Sequence, residues 1–321
     1  MNYSLHLQWY SICYIFAQRN LTTTLKFTVM AKSLFEEVAD IMNSKYSTAT
    51  KKKHLKKAGL RDADIHQVFF AWQQGVYTPS LDIMGISFGV EMECVNAPYR
   101  VILNKFRENG IECNYEGYTH HTTPHFKLVT DSSLVGRDTI ECVSPILKGE
   151  DGENALKKAC DTLNECGATV NRSCGLHVHF DASEMSDKHY INIFKNYRMI
   201  EDAIDEIMPN SRKGNNSQWC RTLKNYHFDT CASKPDVYNE IGTRYTKVNA
   251  AAYGRHSTIE FRQHSGTVNY QKVINWVKFL RDLIKFSEKN VLTTEVKHIE
   301  DITFASDDVM AYLKERKQQL A

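Results

Sequence analysis

No apolar run in this 321-residue chain approaches the ~20 residues needed to span a bilayer. The stretch from Ile12 to Ala17 is short and carries neither a basic leader nor a cleavage site. No CxxC is present, and nine cysteines are scattered from Cys13 to Cys231. That spacing excludes the dense disulfide framework of a small secreted domain. It leaves the expectation of reduced, mostly buried thiols in a cytoplasmic protein. No GxxxxGK[ST] loop occurs, so a nucleotide would have to be held by another architecture. Charge of one sign is not in excess: 40 Lys and Arg face 38 Asp and Glu, for a formal charge of +2. Such a balance gives no argument for a nucleic-acid partner. The local basic run Lys51–Lys53, continued by Lys56 and Lys57, reads as a solvated helix face. Internal repeats and low-complexity tracts are absent.

What is present is a chain long enough for one sizeable core. Residues 1–30 lack clear periodicity, whereas a more regular segment opens at Met30, so an extended start or a flexible appendage both fit. Helical spacing is expected from Lys32 to about Tyr46, through the lysine run, and over Ala63–Gln74. The patterns then predict strands at Ile86–Cys94, His125–Thr130, Thr139–Val143 and Gly175–Asp181. Helices are expected at Tyr99–Asn109, Gly152–Cys166, Asp187 to about Met208, and Tyr270–Ser287, with a final helix from Asp307. Asp181 and Ser183 offer starts for the helix from Asp187. Tyr245–Ala251 and Ser257–His264 read as an antiparallel pair turning at Gly254-Arg255, and 110–124 and 209–240 read as loops. Paired strands interrupted by long helices favour an α+β sheet with helices on one face.

Three segments carry the chemistry: FGVEMECV at 88–95, CGLHVHFD at 174–181 and TIEFR at 258–262. Glu91 and Glu93, His177 and His179, and Glu260 and Arg262 each lie two residues apart, so each pair projects from one face of a strand. Three such pairs in apolar surroundings predict a polar cavity lined by a sheet. Glu91, Glu93 and Glu141 supply hard oxygen ligands of the kind magnesium takes. Taken singly, each pair fits charges on a half-solvated strand equally well, and Glu260 with Arg262 fits a buried neutralising network. His177 and His179 could bind zinc with His120, His121 or His125, or with Cys160, Cys166 or Cys174, but no standard ligand spacing supports it. Arg262 and Arg244 can present guanidinium forks to phosphate or carboxylate oxygens.

These segments, with DSSL at 131–134, IECVSPIL at 140–147, GTRYTKVN at 242–249 and TIEFRQHSGT at 258–267, resemble the amidoligase family. That family is a branch of the carboxylate-amine ligases related to glutamine synthetase and glutamate–cysteine ligase. The resemblance runs from about Gly85 to His264, extending to Ser287. It implies a curved, largely antiparallel glutamine-synthetase-like sheet holding ATP and divalent metal on its concave face, with helices on the convex face. It also implies a catalytic domain over 81–290, between a variable helical extension (1–80) and a C-terminal helical appendage (291–321).

By resemblance, Glu91 and Glu260 match metal-binding carboxylates near the transferred phosphate, and Glu93 and Glu141 ligands of a companion Mg2+, with Mn2+ as an alternative. His177 matches a metal-site histidine, and His179 lies near nucleotide phosphate. Arg244 and Arg262 look like contacts to the phosphoryl or acyl-phosphate group, while Asp131 orients substrate or amine and Asn249 supports that pocket. The implied activity is ATP- and magnesium-dependent ligation of an amino-acid or peptide carboxylate to an amine donor, without a nucleic-acid or membrane partner. A metal-dependent hydrolase that needs no ATP, and an inactive protein-binding module, are the competing expectations.

Overall fold

The computed structural model describes residues 44–57 and 86–320, with positions 41, 65 and 69. The helices expected over 32–46 and 63–74 lie largely outside the described residues. The chain divides into two compact units, Met1–Ile83 and Met84–Ala321. In the first, helix α1 (Thr48–Lys57) buries Leu55 and leaves Lys52, Lys53, Lys56 and Lys57 exposed, the solvated face expected of the lysine run.

The second unit is built on β1 (Phe88–Cys94), α2 (Tyr99–Glu108), β2 (Cys113–Gly117), β3 (Phe126–Val129), β4 (Ile140–Val143), α3 (Gly149–Glu165) and β5 (Leu176–Asp181). It continues with α4 (Asp187–Asp205), α5 (Lys234–Ile241), β6 (Val248–Asn249), α6 (Ala251–His256), β7 (Thr258–Phe261), α7 (Tyr270–Ser287) and α8 (Asp307–Leu320). The seven strands form one open, mixed sheet in the order β2-β3-β4-β1-β5-β7-β6. Only β2 and β3 run parallel; the other five pairings are antiparallel.

Alternation sorts the side chains. Phe88, Val90, Met92 and Cys94 of β1 enter the core, as do Leu176, Val178 and Phe180 of β5 and Ile259 and Phe261 of β7. Helices seal this face: Cys160 of α3 places its sulfur 3.6 Å from that of Met92, and the Tyr197 ring of α4 lies 5.7 Å from Phe261. Trp276, Val277 and Leu280 of α7 join the same cluster, and Val309, Met310 and Leu313 of α8 complete it. Gly110, at φ +64°, ends the α2 segment as its lack of a Cβ allows. The fold is therefore α+β, with helices packed on the apolar face of the sheet.

Three expectations are corrected. Gly254-Arg255 is not a hairpin turn: it lies in α6, and β6 is only two residues long. Val248 and Asn249 are the residues that find ladder partners on β7, opposite Phe261 and Glu260. The segments expected to be loops hold β2, a half-exposed edge strand without apolar alternation, and α5, started by a Ser233–Asp236 capping box. Helix α4 is capped by Ser186, whose hydroxyl accepts from the His189 amide at 3.2 Å. Asp181 instead accepts from the Ser183 amide and hydroxyl, a local turn that keeps both residues out of the cap.

Candidate metal centre

The face opposite the core carries the ionisable residues, and strand register sets them in rows. Glu91 stands opposite His177 on β5, Glu93 opposite Glu141 on β4, and His179 opposite Glu260 on β7, which in turn faces Asn249 on β6. Glu91 and Glu260, 169 positions apart in sequence, thus share one surface.

Contacts between them are close. His177 Nδ1 lies 3.0 Å from Glu91 Oε2 and 3.7 Å from Glu260 Oε1, while its Nε2 is 3.7 Å from Glu93 Oε1. His179 Nε2 is 3.4 Å from Glu91 Oε1 and 3.9 Å from Glu260 Oε1. Glu260 also accepts hydrogen bonds from the Arg262 guanidinium and the Asn249 amide. Glu93 accepts from the backbone N–H of Gly175. That position demands glycine, because a Cβ there would meet His177 Nε2 at 2.9 Å and Arg212 Nη2 at 3.1 Å.

Packing carboxylates together displaces their proton affinities. Burial, then the charges of Glu91, Glu93 and Asp131, pushes Glu141 well above the usual carboxylate range, and burial raises Glu93 as well. Burial alone would raise Glu91 too, but the hydrogen bond from His177 and the charges of His179 and His177 outweigh it and hold Glu91 well below. Glu260 is likewise lowered, burial being overcome first by Arg262 and then by the two histidines. Against its own burial, His179 is raised by Glu260 and Glu91.

The donors suit a divalent cation. Three overlapping groups each bring their ligand atoms within 4.8 Å of one another: Glu91, Glu141 and His177; Glu91, His179 and Glu260; Glu93, Asp131 and Glu141. His179 Nε2 is buried without a hydrogen bond, while its Nδ1 lies 3.0 Å from Thr258 Oγ1. In the tautomer with Nδ1 donating to Thr258, Nε2 would be left to turn a lone pair toward a cation in the cluster, the arrangement found in metal-ligating histidines. An oxygen-rich set with imidazole matches Mg2+ or Mn2+.

Glu91, Asp131, Glu141, His177, His179, Arg244, Asn249, Glu260 and Arg262 all line one cavity of about 440 Å³. Glu93 is packed beneath it, 3% exposed, and reaches the group through Glu141 and Asp131. A recess of about 860 Å³ is lined by eight residues, Arg244, His120 and His121 among them, all of which line the cavity as well, and none of the eight is acidic. His125 is drawn away to Glu116, at 3.1 Å. Among the described residues, none of Cys160, Cys166 and Cys174 belongs to a ligand group. All eight described cysteines are free, and Cys94, Cys142, Cys160, Cys174 and Cys220 are buried.

Several residues of the site were not singled out by the sequence reading. Arg212, 4% exposed, donates to the Cys174 carbonyl and so braces the turn that delivers Gly175 to Glu93. Lys127 lies on the polar face of β3 between Phe126 and Leu128, and the same two-residue alternation could have found it. Arg255 and His256 come from α6, whose existence the turn-like Gly254-Arg255 concealed.

No curated protein matches the chain. One solved structure, described as "Crystal structure of a bifunctional glutathione synthetase from Pasteurella multocida", aligns at 13% identity with a TM-score of 0.37, over 75% of this chain and 48% of that one. The chain thus spans about half the length of that protein, and a likeness so loose carries no argument. A family described as "Putative amidoligase enzyme" matches residues 85–284, which contain β1 through most of α7 and every ligand group above. With its metal-ligand clusters on one sheet face and this match over most of its length, the chain belongs to the amidoligase family.

Proposed function

We propose that this protein is an ATP- and magnesium-dependent ligase joining the carboxylate of an amino acid or peptide to an amine through an acyl phosphate. The observation that carries the reading is the juxtaposition, in one cavity, of three overlapping metal-ligand groups with the guanidinium groups of Arg262 and Arg244. A divalent cation bound there would screen polyphosphate charge and draw electron density from the transferred phosphoryl. Arg262, held against Glu260, and Arg244, 5.1 Å over the Tyr245 ring, are fixed cations suited to charge developing on that group. A carboxylate oxygen of the substrate bonds to the γ-phosphorus as the bond to ADP breaks. The amine nitrogen then attacks the acyl carbon, phosphate leaves and the amine proton is lost. Asp131 orients the amine from the edge of the carboxylate group.

The open sheet, with helices behind and ligands in front, supports a glutamine-synthetase-like catalytic domain over 81–290, flanked by accessory segments at 1–80 and 291–321. A cytoplasmic setting fits the free cysteines among the described residues and the proposed use of ATP.

The test is a pooled amino-acid and peptide assay with Mg–ATP that reads phosphate release together with new amide mass. Coupled appearance of both is expected. Cleavage of a pool member without ATP would instead establish a hydrolase and reject the ligase reading.

A further inference from the structure

Lys127 is 3% exposed yet lines the cavity, and among the described residues its ammonium donates to a single group, the backbone carbonyl of His121. Among the described residues no carboxylate lies within 4.0 Å of its Nζ. A buried ammonium loses several kcal/mol of hydration, and one carbonyl occupies one of its three donors. Two other buried lysines are better held: Lys247 has Glu201 and Asp205 at 2.9 and 2.7 Å, and Lys234 has the Ala182 carbonyl at 3.0 Å, the Tyr253 hydroxyl at 3.4 Å and the Tyr253 ring centroid at 4.6 Å. Among the described residues Lys127 has the one carbonyl, and the surface beside it is the cavity.

Register places it further. Lys127 on β3 stands opposite Val143 on β4, and Val143 opposite Glu91 on β1. Lys127 and Glu91 therefore lie in one row, about 10 Å apart at two strand spacings. The residue between them is Val143, which lines the cavity together with the side-chain-free Gly89 and the 118–122 segment. The row thus runs from a cation with unused donors, over Val143, to a carboxylate cluster fit for metal.

Resting on the ligase reading, we propose that Lys127 is the specificity residue for a second anionic group on the acid substrate. The preferred acids carry one carboxylate to react at the metal groups and another held by Lys127. An amino-acid-sized chain covers the interval over Val143.

The experiment measures binding of glutarate and pentanoate, acids of equal carbon number with two and one carboxylates, to the full chain with Mg2+ and no ATP. Wild type is expected to bind glutarate at least tenfold more tightly. Lys127→Met is expected to abolish that preference while leaving pentanoate affinity unchanged, and Lys127→Arg to retain most of it. Absence of a preference in wild type overturns the proposal without reference to any variant. A preference that survives Lys127→Met overturns it too, and so does equal loss of both acids, which would make Lys127 a residue that only positions the 118–122 segment. Because no nucleotide is used, an intact preference beside a failed Mg–ATP assay would reject the ligase reading and leave the anion subsite standing.

Discussion

Glu91 touches both histidines of β5, with Oε2 3.0 Å from His177 Nδ1 and Oε1 3.4 Å from His179 Nε2. Like Glu141, it belongs to two of the three ligand groups. Glu91→Gln keeps the shape and one acceptor oxygen but removes the charge that holds those groups together. Because the side chain stands on the polar face, outside the core cluster, folding is expected to survive with a melting temperature within a few degrees of wild type. Mg–ATP turnover is expected to fall by about 100-fold or more, since removing one fixed electrostatic contributor commonly has that effect. Stopped phosphate release with a normal melting curve is the signature, and wild-type turnover in the variant would remove Glu91 from the site.

Glu93 and Glu141 face each other across β1 and β4, both raised above the usual carboxylate range, Glu141 in part by the charge of its neighbours. A cation that relieves this repulsion binds the folded state alone and stabilises it by mass action, by about 2.7 kcal/mol at a concentration 100 times its Kd. Millimolar Mn2+ or Mg2+ should raise the melting temperature by several degrees, and EDTA should reverse the gain. In Glu141→Gln the gain should shrink. A melting temperature indifferent to both ions would count against a metal centre here.

The strands that carry ligands were the easiest part of the chain to read, because an apolar core face and a charged cavity face impose the same period of two. FGVEMEC and LHVHFD show it without interruption, and β1 and β5 occupy the centre of the sheet. Helix α7, long and amphipathic, is found over the residues expected, Tyr270–Ser287. The rest was hidden for physical reasons. CNYEG of β2 is stabilised by pairing with β3 at an edge, not by burying a face of its own. Residues 248–249 form a strand only because β7 offers them partners. The convergence of Asp131 on Glu93 and Glu141, and the lone ammonium of Lys127, depend on register between distant strands, which no local pattern encodes.

Lys247, whose backbone carbonyl accepts from the Arg262 amide, ties the edge of the sheet to α4. Its side chain has no exposed surface, and Nζ reaches Glu201 at 2.9 Å and Asp205 at 2.7 Å on α4. Glu201 also accepts from the Leu223 amide at 2.8 Å, and Asp205 from the Gly214 amide at 2.8 Å. Lys247→Met removes the cation and strands two acids, a change that costs about 3–5 kcal/mol when a buried pair is broken. Urea unfolding should show the midpoint falling at constant slope. A loss below about 1 kcal/mol would mean that solvent already screens the pair.

His264 makes the protein acid-sensitive from outside the ligand groups. The ring is 6% exposed, packs 5.4 Å from Trp276, and has Nδ1 2.7 Å from the Ser265 carbonyl. Burial first, and then the charges of Arg316, Arg212 and Lys272 against a favourable bond to Ser265, pushes its pKa down to about 3. The unfolded chain takes up this proton near pH 6.5. A depressed native value means that the contribution to stability is intact above pH 6.5 and is lost as pH falls toward 3, at about 1.4 kcal/mol per pH unit. Between pH 6.5 and 5 the ordinary carboxylates remain ionised in the unfolded chain, and the other shifted groups, among them His179, His189, His256 and Glu141, are common to wild type and a His264 variant. His264→Phe keeps an aromatic ring against Trp276 and cannot take up the proton. Its urea midpoint should therefore change less than that of wild type between pH 7 and pH 5, and equal slopes in the two proteins would show that His264 is not the group titrating.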